Sequence, residues 1–302
     1  MTSNKPPQRL GLGTVQFGLD YGIANQSGRV ALADAVAIVA LAGGNGLEVL
    51  DTASAYGDSE STVGLCLLAN AACAFRVVTK TAPLGTAALG AAELQMVERA
   101  FMASLERLGR RRVDCLMVHH ADDLLVPGGE RLFARLLAWR EQGLVDKIGV
   151  SVYDKEQIER LFARYSFDLV QLPLNVFDQR LLHNGGLAML AERGVEVHAR
   201  SLLLQGVLLM SPASLPAHLA ALRAPLAALH ALARTRGLTP LAAAFGFVKQ
   251  IKEVAVALVG VLSVAHLGEC LDAYRGAPAG DYARFAQDDD SLIDPRRWPA
   301  SR

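Results

Sequence analysis

Short, almost continuously apolar stretches alternate with longer segments of helical periodicity along nearly the whole chain. The apolar stretches predict strands at Leu10–Thr14, Leu47–Asp51, Phe75–Thr79, Val113–Val118, Lys147–Val150, Asp168–Gln171, Val195–Arg200 and Val254–Val259. Strands that are apolar throughout, rather than alternating, belong to parallel sheets covered on both faces. Between them, Glu93–Leu108 sets Leu94, Val97, Phe101, Leu105 and Leu108 on one stripe at three- and four-residue spacing, the mark of an amphipathic helix. Glu130–Trp139, Lys155–Phe162, Leu181–Ala191 and Ala217–Ala233 follow suit, with Asp154 and Ser214 as expected N-caps and Pro225 as a kink or break in the last. Gly46, Gly109, Gly143 and Gly194 follow helical stretches, where a left-handed residue ends a helix. Eight strands in βα alternation predict an α/β fold, a single closed (β/α)8 TIM barrel over residues 8–285. The composition then turns to Gly276, Pro278, Gly280, Asp288–Asp290, Pro295 and Pro299, so residues 286–302 are expected as a C-terminal surface tail.

Composition narrows the class. The 302 residues carry 30 Lys+Arg and 30 Asp+Glu, a formal net charge of zero, with 52% hydrophobic and 20% charged positions. Such a chain buries enough apolar surface to fold, so a disordered chain is excluded. Without a clustered basic excess, neither nucleic acid nor a membrane surface is an expected partner. Cys66, Cys73, Cys115 and Cys270 form no CxxC pair, which points to buried thiols in a reducing, cytoplasmic compartment. The N-terminal MTSNKPPQRL has no apolar core and is not expected to be a signal peptide.

Glycines near the first strand do not make a nucleotide fold. Gly11, Gly13 and Gly18 are spaced GxGxxxxG rather than GxGxxG, and no GxxxxGK[ST] occurs. The chemistry lies at the strand ends, because reactive residues of a (β/α)8 barrel sit where the C-terminal strand ends converge. There the sequence places Asp51, Lys80 and His119, with Tyr56 a few residues beyond Asp51. Taken singly, Asp51 could cap a helix, Lys80 could be solvated, and His119 with His120 could be rim histidines. Together they suit carbonyl reduction, in which hydride attack leaves an alkoxide in need of a proton. A tyrosine can donate it, and an ammonium nearby is expected to lower its ordinary pKa of about 10. Lys80 would supply that charge, Asp51 would hold Lys80, and His119 would hydrogen-bond the substrate oxygen.

The segments LGLGTVQFG, LDTASAYGDSE, VVTK, SLERLGRRRVDCLMVHH, KIGVSVYD, DLVQLPLN, VEVHARSLLLQGVLL and VALVGVLSVAHLGECL, in this order, resemble the aldo-keto reductase family over nearly the whole chain. Tyr21–Asn25, followed by a glycine, resembles its bacterial branch. The resemblance implies an NAD(P)(H)-dependent oxidoreductase reducing an aldehyde, ketone or sugar carbonyl, or oxidising the corresponding alcohol, with a small-molecule substrate. It implies that Asp51, Tyr56, Lys80 and His119 form the catalytic tetrad, with Tyr56 as proton donor. NADP(H) is the family's default cofactor, and NAD(H) or dual use stays open. By the same resemblance Ser151 and Gln171 hold the nicotinamide carboxamide, and Gly13 and Thr14 lie near its ribose. Ser201, Leu203, Gln205 and Gly206 match the loop over the pyrophosphate, and Ser263 and Glu269 match positions at the adenosine end.

Five positions depart from the family pattern. Val152 replaces an asparagine beside Ser151, and Arg200 replaces the aromatic that stacks on the nicotinamide; a planar guanidinium is expected to stack in its place. Gly260 and His266 stand where a lysine and an arginine meet the 2′-phosphate, and Cys270 replaces an asparagine. An imidazole complements a phosphate far more weakly than an always-protonated guanidinium. Two other readings remain at this point: a cofactor-binding accessory or redox-sensing protein with little turnover, and a metal-dependent hydrolase using His119, His120, Asp122 and His198. No metal site is expected, since the first strand end lacks an HxH pair. The loops Phe17–Asn25, Ala121–Glu130 and Asn175–Asp178 carry only acidic charges, Asp20, Asp122, Asp123, Glu130 and Asp178, which weakly disfavours an anionic substrate.

Overall fold

A computed structural model describes residues 9–299; residue 8, where the barrel was expected to begin, and 300–302 of the expected tail lie outside them. Eight parallel strands close in chain order: β1 (Leu10–Gly13), β2 (Val49–Asp51), β3 (Arg76–Lys80), β4 (Val113–Val118), β5 (Val145–Ser151), β6 (Leu169–Pro173), β7 (Glu196–Arg200) and β8 (Val254–Gly260). β1 closes the barrel on β8, with Gly13 opposite Gly260, and pairs β2 with Gly13 opposite Asp51. Every predicted strand is present, its ends within two residues of expectation. The outer ring contains α1 (Leu32–Gly44), α2 (Ser59–Ala69), α3 (Ala91–Leu108), α4 (Gly129–Glu141), α5 (Lys155–Phe162), α6 (Arg180–His183), α7 (Gly186–Glu192), α8 (Arg223–Thr235), α9 (Pro240–Lys249) and α10 (Val264–Gly276).

Two predicted helices are cut. The Leu181–Ala191 stretch breaks into α6 and α7 because Gly185 takes φ +82° and the Asn184 side chain accepts the Gly186 N–H at 3.0 Å, a side-chain turn competing with the helix. The Ala217–Ala233 stretch is a 3-10 turn over Ala217–Leu222 followed by α8. Pro225 sits in the first turn of α8, where its missing N–H has no partner to lose. Ser214 caps nothing: its hydroxyl bonds Ser211 O at 2.8 Å within a separate turn. Asp154 does cap α5, accepting from Gln157 N at 2.8 Å, and Gly46, Gly109, Gly143 and Gly194 all have positive φ.

The core is layered. Val49, Val78, Cys115, Met117, Leu169, Val256 and Leu258 fill the barrel lumen, while a larger cluster packs the outer strand faces against the helices. The expected C-terminal surface tail packs onto the barrel. A short α11 (Asp290–Ile293) and a turn at Pro295–Arg297 bury Leu292, Ile293 and Asp294. Arg180 bridges Asp178 and Asp290, Arg297 pairs Asp290, and Arg296 grips Asp294. The Arg296 guanidinium lies 3.3 Å from the centroid of the Tyr153 ring, so the tail reaches the C-terminal end of β5. Among the described residues no helix is long and apolar enough to cross a membrane.

Candidate active site

Alternation along the strands builds the site. Successive strand residues point to opposite faces, so the lumen residues recur every second position. Stepping two residues beyond the last apolar lumen residue gives Asp51 after Val49, Lys80 after Val78, His119 after Met117 and Gln171 after Leu169. The same parity runs from Gly149 to Ser151, His198 to Arg200 and Leu258 to Gly260. The inward layer just beyond the apolar lumen thus carries polar groups or a glycine.

The YGDSE turn holds Tyr56 over this layer. A Cβ on Gly18 would lie 1.8 Å from Tyr56 O, and one on Gly57 (φ +55°) would lie 2.6 Å from Gly18 O. Only glycines let the β1 loop and the tyrosine turn meet this closely. Ser59 donates to Thr14 O at 2.7 Å and meets the Thr14 and Thr52 hydroxyls at 2.9 and 3.0 Å. Glu60, fully buried, takes Arg107 at 2.6 and 2.9 Å and the Thr79 hydroxyl at 2.5 Å.

At the centre, Lys80 Nζ donates to Asp51 Oδ1 at 2.7 Å and to Thr52 O at 2.8 Å. It lies 5.1 Å from the Tyr56 ring centroid. Tyr56 and His119 meet edge to face, their centroids 5.6 Å apart. Gln171 Nε2 donates to Asp51 Oδ2 at 2.7 Å, so Asp51 is shared between Lys80 and Gln171. His119 Nδ1 is buried and has no hydrogen-bond partner among the described residues.

Burial controls the protonation states. It pushes the Tyr56 phenol up, and Lys80, the largest opposing influence, does not cancel it. Lys80 does lower Tyr56 as expected, but the expected net lowering is corrected, because desolvation of the phenolate outweighs the ammonium. Burial also drives His119 down to about 3, helped by Lys80, Arg200 and His120. For Lys80, burial favours the neutral amine, but Asp51 and Tyr56 hold the ammonium above its ordinary value. A neutral phenol, a neutral imidazole and a charged lysine result.

A cleft of about 530 Å³ opens over this cluster, within the range of small-molecule and cofactor sites. It is lined by Gly13, Thr14, Asp51, Tyr56, His119, Ser151, Gln171, Arg200, Ser201, Leu203, Gln205, Gly206, Gly260, His266 and Glu269. Lys80 lies beneath it under Asp51, and Ser263 caps α10, accepting His266 N–H at 3.1 Å. Val152 is fully buried in the outer core. Arg200 lies 4.3 Å from the Tyr153 ring and, among the described residues, its side chain makes only long contacts, to Ser201 Oγ and Val152 O.

Sequence reasoning missed Gln16, Tyr21 and Tyr153, all lining the cleft. Tyr153 was accessible by carrying the two-residue step past Ser151; Gln16 and Tyr21 sit in an aperiodic loop. The acidic loop residues do not line the cleft. Asp123 instead accepts the Leu84 and Gly85 N–H groups at 3.0 Å, and Asp178 takes Arg180. The hydrolase reading is also overturned in its ligands. His198 lies in a small cavity with Val49, Asp146 and Glu196, away from the cleft that His119 lines, and no metal-holding cluster occurs among the described residues.

The aldo/keto reductase family profile matches residues 9–285, so the chain belongs to this family of oxidoreductases. No curated protein sequence matches it significantly. Solved structures share its fold. An aldo-keto reductase from Bacillus halodurans in holo form is 19% identical, with 98% of this chain and 97% of that one covered and a TM-score of 0.74. A glycerol dehydrogenase from Gluconobacter oxydans is 22% identical (99% and 96% covered, TM-score 0.71). An aldo/keto reductase from Klebsiella pneumoniae in complex with NADP and acetate is 21% identical (98% and 94% covered, TM-score 0.69).

Proposed function

We propose that the chain transfers hydride between a nicotinamide dinucleotide and a small carbonyl compound, an aldehyde, ketone or sugar, with Tyr56 as the proton donor. The observation that carries this reading is the convergence of Tyr56, His119 and the Lys80–Asp51 pair at the floor of one cleft. The cleft suits an extended dinucleotide: it runs from these groups past the β1 loop to α10, and two buried polar atoms on its walls, His119 Nδ1 and Gln16 Oε1, have no partner. Structures of aldo/keto reductases from Klebsiella pneumoniae, one with NADP and acetate and one with NADPH, support such a cofactor. The four free cysteines fit a reducing compartment, the cytoplasm.

When bound, the reduced nicotinamide supplies the hydride. Tyr56, kept protonated by burial, donates its proton to the developing alkoxide. Lys80, its ammonium fixed by Asp51 and Thr52 O, stabilises the phenolate left behind. His119 is neutral and has one proton; with Nδ1 unpartnered, that proton belongs on Nε2, where it hydrogen-bonds the substrate oxygen. Gln171 and Ser151 would hold the carboxamide, and Arg200 would lie against the nicotinamide ring. Gly13 and Thr14 would flank its ribose, and Ser201, Leu203, Gln205 and Gly206 would cover the pyrophosphate.

Purified protein with reduced dinucleotide and a panel of aldehydes and ketones tests this by loss of absorbance at the reduced nicotinamide band. Tyr56→Phe is expected to lower the reductive kcat by about 10²–10⁴ while dinucleotide affinity is retained. A variant as fast as the wild type overturns Tyr56 as the donor.

A further inference from the structure

We propose that the cleft is built for a dinucleotide with a free ribose 2′-hydroxyl, NAD(H), in preference to the 2′-phosphorylated NADP(H). This inference rests on the reading above. A dinucleotide whose nicotinamide reaches Tyr56 and His119 lays its other half along the remaining length of the cleft. That end lies between the β1 loop and the start of α10, and is lined by Gln16, Gly260, Val261, Leu262, His266 and Glu269.

A 2′-phosphate brings charge approaching two negative units and accepting oxygens that call for cationic donors. Among the described residues, the sole lysine or arginine lining the cleft is Arg200. It stands at the opposite end, on β7 beside Tyr153 and the Val152 carbonyl. At the α10 end the one acid is Glu269, which repels a phosphate and accepts from a hydroxyl or an amine. The Ser263 hydroxyl accepts the His266 N–H at 3.1 Å, so that N–H is already taken and is not offered to a phosphate.

Gln16 completes the case. A Cβ on Gly260 would lie 2.5 Å from Gln16 Oε1, so the glutamine side chain occupies the space directly over position 260. The same Oε1 is buried and receives no hydrogen bond from the described residues. An unsatisfied buried acceptor calls for a donor, which a free 2′-hydroxyl supplies at that position and a 2′-phosphate dianion does not.

Calorimetric titration of the full chain with NADH and with NADPH tests the proposal through binding alone. NADH is expected to bind roughly tenfold or more tightly, the ratio that loss of one charge-assisted contact commonly gives. His266→Arg, which adds a fixed cation at the rim, is expected to narrow that ratio by raising NADPH affinity. NADPH binding as tightly as NADH, or more tightly, in the wild type overturns the proposal alone. A ratio unmoved in His266→Arg overturns the missing cation as its cause. Binding of neither dinucleotide overturns the proposal together with the reading it rests on.

Discussion

His119 couples the site's chemistry to the stability of the fold. Burial, then Lys80, Arg200 and His120, bring its pKa from 6.5 to about 3. The folded chain thus keeps the imidazole neutral at pH values where the unfolded chain protonates it. The folded value is depressed, so this contribution to stability is fully present above pH 6.5 and is lost as pH falls from 6.5 toward 3. At about 1.4 kcal/mol per unit, the loss between pH 7 and 5 is about 2 kcal/mol, growing toward about 5 kcal/mol near pH 3. For a chain of this size, 2 kcal/mol corresponds to roughly 4 °C in Tm. Glu196, held down to about 2 by His198 and Lys147 despite its burial, starts from an ordinary value of 4.5 and contributes little in that window. Scanning calorimetry of wild type and His119→Gln at pH 7 and pH 5, at one ionic strength, isolates the imidazole. The wild type is expected to lose about 4 °C more than the variant over that interval. Parallel Tm curves refute the reasoning, and so does a ring-proton resonance assigned to His119, by its loss in His119→Gln, that titrates near pH 6.5.

Three further outcomes follow from the same geometry. With Tyr56 raised and His119 lowered, the reductive kcat/KM is expected to stay level between about pH 6 and 9, and alcohol oxidation, which needs the phenolate, to climb across that range; a reductive step centred near pH 7, followed by absorbance, contradicts this. Arg107→Ala strips the fully buried Glu60 of its guanidinium and is expected to cost about 3–5 kcal/mol in urea unfolding, with Glu60→Gln added to Arg107→Ala recovering part of it. Arg296→Ala removes the guanidinium over Tyr153 and is expected to raise the carbonyl KM about two- to fivefold with dinucleotide affinity unchanged; steady-state kinetics beside calorimetry checks both.

The parts of the molecule legible in the sequence are those governed by local periodicity. Val49 and Asp51, Val78 and Lys80, and Met117 and His119 differ by one strand step, so placing the strands placed the reactive layer. The parts that escaped depend on distant chain segments. Gln16 gains meaning only through Gly260, which lies beside it because β1 closes on β8. Arg296 bears on the site only because Asp178, Asp290 and Asp294 anchor the tail through Arg180, Arg296 and Arg297. The break between α6 and α7 turned on one Asn184 side chain outcompeting a continuous helical stripe. The direction of the Tyr56 shift was illegible for another reason. The sequence shows that a lysine is near, but the opposing desolvation is set by how completely the folded mouth excludes water.

That excluded water gives the charge layout its logic. Lys80 and Asp51 form a buried pair, and a buried pair is costly enough that stability is a weak reason to keep one. What it supplies is a gradient: Lys80 acts on the Tyr56 phenol more strongly than Asp51 does, so the pair is neutral in sum yet positive toward the tyrosine. Arg200 adds a second positive charge with no carboxylate partner among the described residues. Under the proposed reading, negative charge that develops on the substrate oxygen and passes to Tyr56 enters a region already biased to receive it, where low dielectric magnifies each interaction. The same burial keeps Tyr56 protonated and His119 uncharged beforehand, so both donors carry their protons when a carbonyl arrives. A mouth open to water would shift both groups toward their ordinary values and weaken that bias, which places the fit of Tyr153, Arg200 and the folded tail around the cleft among the determinants of rate.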